Sequence, residues 1–431
     1  MGQPVKGEDA MIKKLAAAGF ALAMVLGLSP AAPSAAAEKE IVLALWDEVQ
    51  KPIIQQSIDK FNAKFKGKYK ASIAQTPWGE FWTKLDASLP TSNAPDVMWM
   101  NVFLPKYANG NVLEPLNKYI AKEKFNLNQY VPGRVAAFNY NKQQYALPKG
   151  MDAVFVAYNK EIFDKYKVSY PRKNWNWKSM ETLANSLRRG IDAAGGSEFP
   201  IAMELDLQPS YSNFLHQDGA DFVTLDKKRT LAGTPAGIQT IQSVVDLMNK
   251  KLMAPYTVLS ETKASDLFIS GKAGIIFVGS WKAKVLEDSS LGKAQKIGLV
   301  PMPKRKLNNH SVAGGLGYAM AKNSKNKEGA WELIKYITGR QSMTREAVNN
   351  IDFPARPDAQ GAYARGFKNI DANVIVEVTK TAVPYPHNGL PATLTPLQNA
   401  IALAFSGKAP VAETVQKGAA ETQRLIDEAN K

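Results

Sequence analysis

Short apolar runs of strand length alternate with amphipathic helical stretches along most of this chain, and that alternation narrows the fold more than any other feature. Residues 41–45 form an apolar run ending at Trp46, the pattern of a buried strand. After Pro52, Ile54, Ile58, Phe61 and Phe65 fall on one helical stripe, and Gly67 follows as a stop. Residues 69–75 read as the next strand. A helix opens near Pro77, where a missing N–H does no harm, and carries Phe81 and Leu85 on one face. Residues 97–100 make a third strand. The theme repeats with strands at 154–158, 201–203 and 274–278. Between them lie a helix at 177–189, with Met180, Leu183, Ala184 and Leu187 inward, and one capped by Thr234 and opened by Pro235. Further on, Ala330, Leu333, Ile334 and Ile337 line a helix closed by Gly339. Thr395 caps and Pro396 opens another that ends at Gly407, and a last amphipathic helix begins near Val411. Strands separated by helices imply parallel pairing through crossovers. A length of 431 residues suits two such units. No repeat or long linker divides them, so several short crossings are expected rather than one tether.

The N-terminus has a different character. Lys13 and Lys14 precede a 14-residue apolar stretch at 15–28, shorter than the roughly 20 residues that span a bilayer. Pro30 and Ala35-Ala36-Ala37 follow, a small-residue cleavage pattern. A signal peptide cleaved after Ala37 is expected. Glu8 and Asp9 are unusual for such a segment, so residues 1–10 read as an extension and Met11 as an alternative start. The chain has no cysteine, which excludes disulfides, thiolate metal sites and an N-terminal lipid-modified cysteine. A soluble periplasmic protein is expected. The formal charge is +15; the first 37 residues hold three lysines and two acids, so the remainder stands at +14. A basic balance can mean an anionic partner. Here the lysines are dispersed, with no basic run longer than the three residues of Lys304-Arg305-Lys306, and an export signal argues against nucleic acid.

Motifs for catalysis and metal binding fail one by one. Gly314-Gly315-Leu316-Gly317 lacks the lysine of a phosphate loop, so its glycines read as close backbone approach or a hinge. The matches to S-x-x-K at Ser57 and Ser324 lack their companion motifs, and Ser57 is expected on the polar face of a surface helix. Three histidines without H-E-x-x-H spacing make zinc improbable. Asp47 and Glu48 follow a strand end, where a glycosidase acid could stand, yet adjacent residues on extended chain point apart. The tryptophans say more. Trp46, Trp78 and Trp281 each adjoin a strand or helix end beside Asp, Gly or Ser, whereas Trp82 and Trp331 sit on helix faces and read as core. One tryptophan is usually packing. Three at element ends fit the stacking of sugar rings, with nearby carboxylates and amides bonding hydroxyls.

Five segments, in order, resemble the family 1 extracellular solute-binding proteins of the maltose-binding type, across residues 40–430. Tyr145-Ala146-Leu147-Pro148, Asp152 and Tyr158-Asn159-Lys160 are similar to that family's Y-x-x-P…D…Y-N-K segment. The stretch 175–180 resembles its W-x-E helix start, without the glutamate in its usual place. Phe268 to Gly274 with Gly279-Ser280-Trp281 resembles F-x-x-G-K-A…G-x-W. Pro301 and Pro303, Gly314-Gly315, and Asn326 to Glu332 resemble P-x-P…G-G…N-x-E-x-A-W.

The resemblance implies an α/β periplasmic-binding-protein fold: two lobes, each a mainly parallel sheet flanked by helices, joined by hinge crossings. Residues 38–148 with 316–352 would form the N-terminal lobe, and 149–315 with 353–431 the C-terminal lobe. It implies capture of a mono- or oligosaccharide for an ABC importer's permease by a monomer, with no cofactor, metal or catalysis. The ligand-binding residues it implies are Trp46, Asp47, Trp78, Asn101, Asp152, Tyr211, Trp281, Gly314, Gly315 and Arg356. A secreted glycosidase or lyase stays open, as does an anionic ligand such as a uronate or glycerol phosphate diester, with Arg356 as its partner.

Overall fold

The computed structural model describes residues 37–431; the expected signal peptide, apart from Ala37, lies outside the described residues. Two sheets organise the chain. The first runs Tyr69–Gln75, Lys39–Leu45, Val97–Met100, Gly317–Met320, Ala146–Pro148. Lys39–Leu45 pairs in parallel with both neighbours, and Gly317–Met320 enters antiparallel between Val97–Met100 and Ala146–Pro148. The second runs Ile297–Val300, Val154–Asn159, Ala273–Gly279, Phe199–Met203, with only the last pair parallel. Directions are thus more mixed than alternation alone predicts, because apolar runs mark strands without marking their sense.

Each sheet is buried on both faces. Ile54, Ile58 and Phe61 from helix Lys51–Lys64 and Trp331 and Ile334 from helix Lys327–Ile337 cover one face of the first sheet. Phe81, Leu85 and Tyr107 cover the other. A separate, larger core joins the second sheet to helices Trp177–Ala193, Pro235–Asn249 and Pro391–Phe405. Separate cores on separate sheets make this a two-lobe α/β fold.

The lobes meet where the chain passes between sheets. It leaves the first after Pro148 and enters the second at Val154; between them Gly150–Met151 pairs antiparallel with Phe353–Pro354. Val312–Ala313, on the way back to Gly317, pairs in parallel with Val383–Pro384. Buried charge pins these passages. Lys149 Nζ, 1% exposed, lies 2.5 Å from Asp352 Oδ2 and 2.9 Å from Glu346 Oε2, donates to Gln50 Oε1 at 3.1 Å, and sits over the Trp99 ring. Burial alone would pull this ammonium down, but the two carboxylates hold it above its ordinary value. Gly150 is required here, since a Cβ would overlap the Asp352 carboxylate. So is Gly315, whose φ of +135° and closeness to the Gly150 carbonyl leave no room for a side chain.

Two local expectations are corrected. The helix expected to open at Thr395-Pro396 begins at Pro391 and carries Pro396 inside. The proline breaks the backbone ladder, but the Leu397 N–H donates to Thr422 Oγ1 at 3.1 Å on the neighbouring helix, so no buried donor is lost there. Ser57 is buried rather than surface-facing, and its Oγ accepts from Arg345 Nη1 at 2.8 Å.

Candidate functional site

At the carboxyl ends of the first sheet's parallel strands, aromatic rings gather. Trp46 leaves its strand and meets Trp78 edge-on at 5.1 Å, Phe81 at 5.0 Å, Trp99 at 4.9 Å and Trp82 at 5.6 Å. Trp78 and Trp82 are four apart on helix Trp78–Ser88 and so share a face. Trp82 continues to Phe103 at 4.9 Å. Trp99 is buried behind this wall, Trp46 and Trp82 are half-buried, and Trp78 is 44% exposed. The polar residues beside it serve the backbone. Asp47 Oδ1 accepts from the N–H groups of Val49 and Gln50, turning the chain into helix Lys51–Lys64. Asn101 Oδ1 accepts from the Phe103 N–H at 3.0 Å.

A second group centres on Asp152, between the sheets. Its Oδ1 accepts from the Gly314 N–H at 2.6 Å and from Gln208 Nε2 at 2.7 Å. Burial pushes its carboxyl up to about 6, against the Arg134 guanidinium and those two donors. Gly314 is needed for this contact, since a Cβ would press on both side chains. Beyond strand Phe199–Met203, burial also raises Glu204 and Asp206 above the usual carboxylate range. Tyr385, its phenol held well up by burial and then by Asp206, Tyr211 and Asp152, completes the group. Its N–H donates to the Ala313 carbonyl.

The sequence-derived residues are brought together unevenly. Trp46, Asp47, Trp78 and Asn101 share the strand-end edge of the first sheet, and Asp152 and Gly314 share one hydrogen bond. Gly315 lies beside Arg134, whose guanidinium approaches the space its Cβ would fill. Tyr211 is 3% exposed and packs its ring on Phe222 and Phe405. Trp281 is half-buried, its ring laid over Gly279 so closely that a Cβ there would overlap it. Arg356 stands apart: it binds Asp358 at 2.8 Å, donates to Gln129 and covers the Tyr130 ring. Sequence reasoning read Trp82 as core and passed over Phe103, Gln208 and Arg134. For Trp82 the signal was present, as its i+4 spacing from Trp78 sets both rings on one face. His387 was also missed. It is 5.5 Å from Phe103 and 5.4 Å from Tyr385, joining the aromatic wall to the acidic group. Among the described residues no three His, Cys, Asp or Glu side chains are grouped to hold a metal ion.

Flat apolar faces beside buried, hydrogen-bonding carboxylates suit a ligand with C–H faces and many hydroxyls. Comparison with known proteins agrees with this class of fold. The bacterial extracellular solute-binding protein family matches residues 46–344. A maltotriose-binding protein of Pyrococcus abyssi is 23% identical over 62% of this chain, which spans 56% of that relative's length. A galactooligosaccharide-binding protein of Bacillus subtilis is 22% identical over 96% of this chain and 97% of its own. An ABC substrate-binding protein of Listeria monocytogenes, solved with cycloalternan, superposes with a TM-score of 0.80 at 19% identity, covering 91% of this chain and 99% of its own. Among the described residues no helix is long and apolar enough to cross a membrane. With the family match covering well over half of its length, this chain belongs to the bacterial extracellular solute-binding proteins.

Proposed function

We propose that the chain captures a carbohydrate between its two lobes and delivers it unchanged to the permease of an ABC importer. The observation that carries this is the partly exposed wall of Trp46, Trp78 and Trp82, joined through Phe103 and His387 to Tyr385 of the Asp152 group. Relatives named for maltotriose and galactooligosaccharide binding support the ligand class. In this reading residues 38–148 with 316–352 form one lobe, 149–315 with 353–431 the other, and the passages near Lys149, Gly315 and Asp352 are the hinges. Closure on ligand is the expected motion. Trp46, Trp78 and Trp82 stack on sugar rings, while Asp152, with Gln208 and Asp206, accepts from hydroxyls. Trp281 borders the site from the second lobe, Gly314 and Gly315 shape it with backbone, and Tyr211 supports it from beneath. Asp47 and Asn101 fix the loops that present the rings. Arg356 is left out, because its guanidinium already pairs with Asp358 at 2.8 Å. The protein acts as a periplasmic monomer without catalysis, released by cleavage after Ala37.

Protonation of Asp152 offers a test. The group is raised in the folded protein to about 6. Above that pH it is an ionised acceptor; below it, one oxygen carries a proton and the acceptor weakens. Calorimetry with a binding saccharide should show affinity about tenfold lower at pH 5 than at pH 7.5, the fall in ionised fraction over one unit. Asp152→Asn should bind weakly at both pH values. An unchanged affinity across this range would remove Asp152 from the site, and heat from no saccharide at either pH would remove the carbohydrate reading.

A further inference from the structure

The aromatic wall does not run out into solvent at its Phe103 end. It meets the segment 385–389, which rises from strand Val383–Pro384 at the passage between lobes. His387 packs on both Phe103, at 5.5 Å, and Tyr385, at 5.4 Å, with 9% of its surface exposed. Gly389, at φ +82°, lies against Pro105, where a Cβ would come within 2.3 Å of the proline ring. No sugar ring fits through a contact this tight.

The segment is also stiff. The Tyr385 N–H donates to the Ala313 carbonyl at 3.0 Å, fixing one end. Asn388 Nδ2 donates to Thr393 Oγ1 at 2.6 Å and Asn388 Oδ1 accepts from the Leu390 N–H, fixing the other to helix Pro391–Phe405. His387 Nδ1 accepts from the Gly389 N–H at 2.8 Å, so the ring cannot turn without breaking a buried bond. Burial, with Lys227 adding to it, pulls this imidazole down to about 3, so it stays neutral across the physiological range.

We propose that the segment 385–389 is an end-stop: it closes one end of the aromatic wall against Phe103 and Pro105 and so limits the length of saccharide that binds. This rests on the carbohydrate reading and adds its size selectivity. Stacking can extend only from Trp82 toward Trp46 and Trp78, so units beyond that span must leave the wall and gain nothing from it. Removing the block should let longer chains continue past Phe103.

The test uses two probe series, malto-oligosaccharides and β-1,4-galacto-oligosaccharides from the disaccharide to the hexasaccharide, with calorimetry on the exported chain. The unmodified protein should lose affinity as the chain lengthens. In His387→Ala, and separately in Phe103→Ala, the ratio of hexasaccharide to disaccharide affinity should rise by about tenfold, or ~1.4 kcal/mol. Two variants guard against one failing to fold, and thermal melting of each without ligand identifies that case. A ratio unchanged in both variants, or affinity falling equally at every length, would overturn the end-stop and leave the contact a plain clasp between lobes. Failure of both series to bind the unmodified protein would count against the carbohydrate reading itself, and this inference would fall with it.

Discussion

Lys149→Met should destabilise the protein by about 3–5 kcal/mol at neutral pH, the scale for removing one partner of a buried ion pair. The ammonium is the only cation within 4 Å of Glu346 and Asp352 among the described residues, and both carboxylates are already raised by burial despite it. Without it, two acids remain in a site that water barely reaches. Their folded values would climb further above their unfolded ones, so the stability these groups contribute is present in acid and lost as pH rises through the folded values. The deficit against the unmodified protein should therefore be widest near pH 7.5 and narrow toward pH 5. Urea denaturation at both pH values measures it. Lys106→Met provides the contrast: its pair with Asp86 is 40% and 45% exposed and should be worth less than about 1 kcal/mol. Equal stabilities for the Lys149 variant and the unmodified protein would mean that the passages between lobes are held by packing alone.

Trp78→Ala should weaken saccharide binding by roughly 2–4 kcal/mol, on the scale of a binding hot spot, with little effect on folding. Its ring is 44% exposed and leans on Trp46 and Trp82, so removing it opens the wall without opening the core. Trp331→Ala should do the reverse. That ring is 2% exposed between Tyr119 and Phe125, and its truncation should cost about 3–5 kcal/mol of stability while affinity stays near that of the unmodified chain. Calorimetry beside urea denaturation on both variants separates the two roles. Early unfolding of Trp78→Ala with unchanged affinity would make the wall structural and displace the proposed site.

What could be read before the structure follows from the range over which each signal acts. Thr234-Pro235 opens its helix as the sequence indicates, because the threonine hydroxyl and the proline act within one turn. Pro396 misled because its tolerance depends on Thr422, more than twenty residues away, on a helix whose docking no local pattern encodes. Strand sense is hidden for the same reason: Gly317–Met320 inserts antiparallel into a sheet whose other strands lie far earlier in the chain. The gathering of Trp46 and Trp78 at one edge could be expected, since strand carboxyl ends in α/β sheets collect such groups, and the two rings do meet there at 5.1 Å. The pairing of Arg356 with Asp358 was not, although the two are only two residues apart, because nothing local decides whether a side chain turns to its neighbour or away. His387 was invisible to any periodicity, as it lies in an irregular segment whose meaning comes from Phe103 across the junction.

Reversible capture of an unaltered carbohydrate can be read directly by equilibrium dialysis. Purified protein on one side of the membrane, a mixed saccharide library on both, and chromatography of each chamber at equilibrium give the answer in one measurement. One saccharide, or a short homologous set, should be enriched in the protein chamber to near the protein concentration, with no new species in either chamber. Even distribution of every saccharide, or the appearance of shorter products, would contradict it.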